Sequence, residues 1–154
     1  MPAVCQHPER ASRASHTVPV EMHAPREAPG PIAIQAFGPV PREDVDFLTD
    51  VIRDVFGTLA DVLPALPLST EHLDADRGQY DADRLLDLLF HRMPDGAMRV
   101  VGVIDADMYA QGRTFVFGYA HLRDGMAVYS LARLREEWYG REVDVDLLRA
   151  RCYR

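Results

Sequence analysis

The segment from Arg99 to Ile104 constrains the fold more than any other part of the sequence, because after Arg99 it contains only aliphatic residues and glycine. A strand with one face in solvent alternates polar and apolar residues, whereas a strand covered on both faces is apolar throughout. The segment therefore predicts an inner strand of a sheet that has helices on both sides.

Strand-like and helix-like patterns alternate around this inner strand. The other predicted strands are residues 31–37, 61–63, 114–120 and 126–131. The predicted helices are residues 41–56, 82–90 and 143–151. Gly57 is a typical helix stop, and Asp81 is a typical N-cap. The order β-α-β-α-β-β-β-α predicts an α/β sandwich with a mixed sheet of four to five strands, an antiparallel edge strand and two to three helices.

Residues 1–30 differ in composition from the rest of the chain, which has 154 residues. They contain prolines at five positions and no aromatic residue, so we expect a disordered or extended tail. Cys5, His7, His16 and His23 lie in this segment without a recognised metal-ligand spacing. We therefore expect a single folded domain over residues 31–154.

The composition excludes several functions. All 17 basic residues are arginine, and the missing lysine excludes a Walker A loop and a Schiff-base lysine. There is also no asparagine, which excludes N-glycosylation and a Cys-His-Asn triad. The net charge of −7 and the scattered arginines argue against nucleic-acid binding. No apolar segment approaches the length of about 18 residues that a membrane helix needs, and no signal peptide or disulfide framework is evident. We expect a cytoplasmic protein without nucleic-acid or membrane partners.

Two carboxylates, Asp105 and Asp107, follow the inner strand, where α/β proteins often bind ligands. They could hold a divalent ion, as the D-x-D element of nucleotide-sugar glycosyltransferases does. The alternative, which we favour, is that they cap and solvate the strand end. Both interpretations remain open from the residues alone.

Other reactive side chains lack a catalytic setting in the sequence. Ser130 has no G-x-S-x-G flanks, and Cys152 lies in an arginine-rich stretch that could lower its pKa but has no identified base. The histidines form no i, i+4 pair, and His91 suits the end of a helix. Several tyrosines and Trp138 could bind a ligand, although packing is the better default.

Four segments, taken in order, resemble one known family. They are R-G-Q-Y at 77–80, G-V-I-D-A-D-M-Y at 102–109, F-V-F-G-Y-A at 115–120 and A-V-Y-S-L-A-R-L at 127–134. Each is weak alone, but their order and spacing resemble the archaemetzincins, which are zinc-dependent metallopeptidases, over roughly residues 31–154. The resemblance implies a metzincin-like α/β sandwich and identifies Asp105 and Asp107 as a strand-end motif of the family.

The resemblance also implies a binding site for an extended peptide substrate. In metzincin-type peptidases an antiparallel edge strand lines the cleft and pairs with the substrate, because its unpaired backbone groups accept another strand. The residues that carry this role by resemblance are Thr114, Phe115, Val116, Phe117 and Gly118. Gly118 would permit close approach of a second backbone.

The catalytic motif of the family, H-E-x-x-H-x-x-G-x-x-H, does not occur among the 154 residues. No histidine follows His121, so we assign no catalytic residue, no metal ligand and no cofactor to this chain, although the family uses zinc. We expect the N-terminal, substrate-side part of a peptidase whose active-site helix is missing and which is inactive as given. The alternative is a non-catalytic peptide-binding or interaction module that uses the edge strand at residues 114–120. An uncovered sheet surface would then favour self-association.

Overall fold

The computed structural model describes residues 30–154. The predictions made for the N-terminal segment, including those for Cys5, His7, His16 and His23, fall almost entirely outside the described residues. Within the described part of the chain, no helix is long and apolar enough to cross a membrane.

The described chain contains eight strands and three α-helices. The strands are β1 (Ile32–Phe37), β2 (Ala60–Leu66), β3 (Leu73–Asp74), β4 (Gln79–Asp81), β5 (Arg99–Ile104), β6 (Met108–Tyr109), β7 (Gly118–His121) and β8 (Met126–Ser130). The helices are α1 (Arg42–Phe56), α2 (Ala82–Phe90) and α3 (Val145–Cys152). Short 3-10 helices span Thr70–His72, Ala132–Leu134 and Glu136–Tyr139.

The main sheet has five strands in the order β2-β1-β5-β8-β7. The first four run parallel, and β7 pairs antiparallel with β8 at the edge of the sheet. β5 therefore lies at the centre, as its aliphatic sequence predicts. The mixed sheet, its antiparallel edge strand and the three helices confirm the predicted α/β class.

Two cores lie on opposite faces of this sheet. One face packs against α2, whose Leu85, Leu86 and Leu89 are fully buried with Phe37 of β1. The other face packs against α1 and α3 and includes Val103 of β5. Successive residues of a strand point to opposite faces, so an apolar β5 supplies both cores at once.

The helix boundaries follow from local chemistry. Gly57 has φ 64°, and its N–H donates to the carbonyl of Arg53, so it ends α1 in the left-handed conformation that glycine adopts at low cost. The Asp81 carboxylate accepts a hydrogen bond from the N–H of Asp83 and caps α2, as predicted. The Asp144 carboxylate caps α3 through the N–H of Leu147.

Two features differ from the sequence prediction. A second, three-stranded sheet in the order β3-β4-β6 was not predicted, because strands of two or three residues are too short to show alternation. The strand predicted over residues 114–120 begins only at Gly118, and Val116 instead forms an isolated antiparallel bridge to Met108. The chain thus leaves the small sheet at Val116 before it enters the edge of the large one.

Candidate functional site

The carboxyl ends of β5 and β8 lie side by side because these strands are parallel neighbours. β5 is followed by Asp105 and Asp107, and β8 is followed by Arg133 and Arg135. The equal spacing in the two segments lets each aspartate meet one arginine. Asp107 pairs with Arg133, and Asp105 pairs with Arg135.

The Asp107 carboxylate is enclosed by donors. The Nε and Nη2 atoms of Arg133 donate to its two oxygens at 2.7 and 2.8 Å, and Nε2 of Gln79 donates at 2.8 Å. The N–H of Met108 donates a further bond at 3.1 Å. Burial raises the pKa of Asp107, but the hydrogen bonds from Arg133 and Gln79 outweigh it, so the pKa lies below its ordinary value. The carboxylate is therefore held in its charged form.

Arg135 links the second aspartate to helix α1. Its Nε donates to the two oxygens of Asp105 at 3.0 and 3.2 Å, and its Nη2 pairs with Asp44 near the start of α1. Both carboxylates of the D-x-D element are thus neutralised by arginine. Their oxygens are paired with arginine and the Asp107 and Asp105 side chains are only 5% and 21% exposed, which disfavours both a glycosyltransferase-like metal site and a solvated strand end.

Arg133 also forms the centre of an aromatic cluster. Its guanidinium carbon lies 4.0 Å from the ring centre of Phe115 and 5.1 Å from that of Trp138. The Tyr139 hydroxyl donates to the Arg133 carbonyl at 3.0 Å. Phe115 also packs edge-to-face on Phe117, with 5.4 Å between ring centres. This places Trp138 and Tyr139 beside the segment that leads into β7.

The residues predicted to bind an extended peptide lie in two settings. Gly118 begins the edge strand β7, whereas Thr114, Phe115, Val116 and Phe117 form the segment before it. The Thr114 carbonyl accepts from Nε2 of Gln79 at 3.0 Å, which ties the beginning of this segment to the small sheet. The Phe115 and Phe117 side chains are 37% and 43% exposed and are therefore accessible to a ligand.

The backbone of β7 is available along its outer side. The Phe117 carbonyl accepts from the N–H of Ser130 at 2.8 Å, and alternate residues of an antiparallel strand face alternate sides. The N–H and C=O groups of Gly118 and Ala120 consequently face away from β8. Among the described residues no strand pairs with this side of β7.

A cleft of about 650 Å³ opens beside the start of β7. Phe117 and Gly118 line one side, and the end of β8 and the segments after it line the remainder. Its arginines are Arg133, Arg141, Arg151 and Arg154. None of the described residues that line the cleft is acidic. The cleft is therefore basic and partly aromatic.

The described residues do not fit a zinc centre. Residues 30–154 contain no group of three or more histidine, cysteine, aspartate or glutamate side chains that could hold a metal ion. His72 lies in a 3-10 helix, His91 follows α2 and His121 ends β7, so the fold keeps these three apart. Tetrahedral zinc coordination needs its ligands on one site.

The remaining candidate side chains have structural partners. The Ser130 hydroxyl donates to the Ala106 carbonyl at 2.6 Å and accepts from the N–H of Ala132. Burial raises the pKa of the Cys152 thiol and outweighs the opposite effects of Tyr129 and Arg135, so the pKa is raised and not lowered as the arginine-rich stretch suggested. Burial also raises the pKa of Tyr129, whose hydroxyl is hydrogen-bonded to that thiol.

The partners of the aspartates were missed by the sequence reasoning, although a signal for them was present. Arg133-x-Arg135 follows β8 with the same spacing as Asp105-x-Asp107 after β5. Two like-spaced motifs of opposite charge after two predicted strands suggest parallel neighbours. The sequence alone, however, predicted an antiparallel edge strand but did not specify that the strand over residues 126–131 lies parallel to β5 and next to it.

A five-stranded mixed sheet with an antiparallel edge strand beside a cleft makes this an α/β protein with an open sheet edge. No model of a protein family matches the chain. Archaemetzincin from Methanocaldococcus jannaschii is 36% identical over 121 residues, which are 79% of this chain and 65% of that protein. The crystal structure of archaemetzincin from Archaeoglobus fulgidus complexed with malonate is 33% identical, with a TM-score of 0.64 over 79% of this chain and 69% of that one.

A further solved structure is a zinc-dependent peptidase from Methanocorpusculum labreanum, with 25% identity and a TM-score of 0.67 over 79% of this chain and 74% of that one. The chain belongs to the archaemetzincin family. It spans a little less than two thirds of the archaemetzincins from Methanocaldococcus jannaschii and Pyrococcus furiosus, 65% and 66% of their lengths.

Proposed function

We propose that this chain forms the substrate-binding part of an archaemetzincin-like, zinc-dependent peptidase and binds an extended peptide as an added strand on the outer side of β7. The observation that carries the proposal is the outward-facing backbone of Gly118 and Ala120 beside the cleft. Such an edge supplies two donors and two acceptors with the spacing of a β-ladder.

The segment before β7 supports the same placement. Phe115 and Phe117 are partly exposed, and Trp138 and Tyr139 stand nearby with 46% and 49% exposure. Main-chain hydrogen bonds to the edge would supply affinity independent of sequence, and these aromatic surfaces would contact alternate side chains of the peptide. Thr114, Phe115, Val116, Phe117 and Gly118 thus remain the proposed binding residues.

Peptide hydrolysis in this family depends on zinc, which would supply a bound water of lowered pKa for the reaction. The 154 residues contain no H-E-x-x-H, and residues 30–154 do not group into a metal site. We therefore propose that this polypeptide alone neither binds stoichiometric zinc nor cleaves peptides. Metal analysis after dialysis, together with a fluorogenic peptide assay with and without chelator, tests this. Chelator-sensitive cleavage by the purified chain would refute it.

Backbone N-methylation of the ligand tests strand addition directly. A labelled extended peptide is methylated at a single amide, and the position is moved one residue at a time. Strand addition predicts that methylation weakens binding with a period of two, because only alternate amides face β7. The peptides methylated at the intervening amides are the matched controls, because they carry the same methyl group on an amide that faces away from β7. Equal loss at every position, or no binding by the unmethylated peptide, would refute the proposal.

The second candidate is a non-catalytic peptide-binding or interaction module that uses the same edge. The coding sequence adjacent to the codon for Arg154 discriminates between the two. An H-E-x-x-H motif there, in frame or after a frameshift, would support the peptidase, and unrelated sequence would favour the module. Weakened binding at every second methylated amide would support both candidates, because both use the edge of β7.

A further inference from the structure

The cleft beside β7 has a charge opposite to that of the whole chain. The 154 residues have a net charge of −7, yet four arginines and no acidic residue are among the described residues that line the cleft. The cleft therefore favours a negatively charged ligand at short range, because charges farther away than about 8 Å are largely screened at physiological salt. The question is which of these guanidinium groups is both held in place by the fold and available for a ligand.

Two of the arginines are already engaged. Arg133 donates two hydrogen bonds to the buried Asp107 carboxylate. Arg151 donates through Nη1 to the Leu134 carbonyl at 2.7 Å and pairs through Nη2 with Glu136. Their charges hold the wall of the cleft together.

Arg141 is less fully engaged than either of these two, because its single carboxylate partner also pairs with Arg151. Glu136, whose side chain is only 9% exposed, pairs with Arg141 as well as with Arg151, so two guanidinium groups face one negative charge. A guanidinium has five N–H donors, and the Glu136 carboxylate engages at most two of those of Arg141. The Arg141 side chain is 59% exposed. A positive charge with unused donors is therefore accessible at the cleft.

Arg141 is also held in place before any ligand binds. Its guanidinium carbon lies 5.1 Å from the ring centre of Tyr139, and its Nε atom pairs with the Glu136 carboxylate. A side chain that is ordered in advance loses less conformational entropy on binding than a flexible one. Arg141 and Gly118 line the same cleft, so the charge stands beside the proposed peptide edge.

We propose that Arg141 makes the β7 site selective for peptides that carry an acidic side chain, with the carboxylate of Asp or Glu bound at the Arg141 guanidinium. This inference rests on the proposed function, since the peptide backbone must lie along β7 for its side chain to reach the cleft. An Arg–carboxylate contact is charge-assisted and directional, so it discriminates against glutamine, which has nearly the same shape.

The test uses the full chain and a set of labelled, otherwise neutral peptides that carry Glu, Gln or Lys at one position, moved along the peptide. Binding is measured by fluorescence anisotropy. We expect the Glu peptide to bind about fivefold more tightly than the Gln peptide at one or two neighbouring positions, as for a single exposed ion pair, and the Lys peptide to bind less tightly than both. The preference for Glu should decrease as salt is raised.

Variants assign the preference to one residue. Arg141→Gln should abolish the preference for Glu over Gln, and Arg141→Glu should reverse it in favour of Lys. Arg151 still neutralises Glu136 in both variants, and circular dichroism verifies that they fold. Arg92→Glu is the matched control, because Arg92 is exposed and does not line the cleft.

The outcomes separate this inference from the function on which it rests. Equal binding of the Glu, Gln and Lys peptides at every position would refute the selectivity and leave strand addition standing. If Arg92→Glu reversed the preference for Glu over Lys peptides as Arg141→Glu does, the assignment to Arg141 would also be refuted. The reversal would then follow from the net charge of the protein. Failure of every peptide to bind would refute strand addition and this inference with it.

Discussion

Arg133 joins the ends of two parallel strands by a two-point ion pair with Asp107. The carboxylate side chain is 5% exposed and the guanidinium 23%, so the pair is largely removed from water. On its other sides the same guanidinium packs on Phe115 and Trp138. One arginine thus ties the central strand, the segment before β7 and the wall of the cleft together.

Removing this arginine should destabilise the fold strongly. Arg133→Met leaves the Asp107 carboxylate buried without its charged partner, and we expect the free energy of unfolding to decrease by about 3 kcal/mol. Urea denaturation measures the change. Arg42→Met is the control, because its pair with Asp46 has side chains 92% and 63% exposed and should contribute less than about 0.5 kcal/mol. In the double variant Asp107→Asn/Arg133→Met, the decrease in the free energy of unfolding should be smaller than the sum of the decreases in the two single variants. Additive losses would show that the pair is not coupled.

Acid should weaken the fold through Asp107. Its pKa is below the ordinary value in the folded state, so this carboxyl stabilises the fold above the unfolded-state pKa of about 3.9 and loses that contribution as pH falls towards the folded-state pKa. Urea midpoints measured between pH 7 and pH 2 should decrease less steeply below pH 4 for Asp107→Asn than for the wild-type chain. Parallel curves would contradict the assignment.

Cys152 should react slowly with thiol reagents. Burial raises its pKa, so less thiolate is present at neutral pH than in an exposed thiol, and the thiolate is the reactive species. In a Cys5→Ser background we expect iodoacetamide at pH 8 to modify the folded protein more slowly than N-acetylcysteine. The rate should rise to that of the free thiol in urea. A fast reaction in the folded state would contradict the partly buried position of the Cys152 thiol.

Self-association should occur through the sheet face that carries α1. An apolar groove of about 320 Å³ there is lined by residues of α1, β5, β7 and β8, including the exposed Ala120. Apolar surface of this kind favours association. Sedimentation velocity should show a concentration-dependent shift, and Ala120→Arg should remove it because a charge would enter the groove. A wild-type chain that stays monomeric at high concentration would contradict this.

Local sequence determined most of the elements of this fold. The unbroken aliphatic pattern of β5 predicted an inner strand, and the helix predicted over residues 41–56 corresponds to α1, which buries Val45, Leu48 and Ile52. Gly57 and Asp81 predicted where helices end and begin. These features depend on neighbours within a few residues, so periodicity and capping chemistry encode them directly.

The site depended on contacts that no local pattern encodes. Asp107 meets Arg133, 26 residues away in sequence, and Asp105 meets Arg135, 30 residues away. These pairs exist only because β5 and β8 align in parallel and place both strand ends at one edge. The start of β7 at Gly118 likewise depends on the bridge from Val116 to Met108 in the small sheet.

The sequence by itself determined the elements, the family resemblance and the lack of H-E-x-x-H among the 154 residues. Only the tertiary structure decided which charges are neutralised and that Arg141 shares its carboxylate, because side-chain partners depend on the register between distant strands.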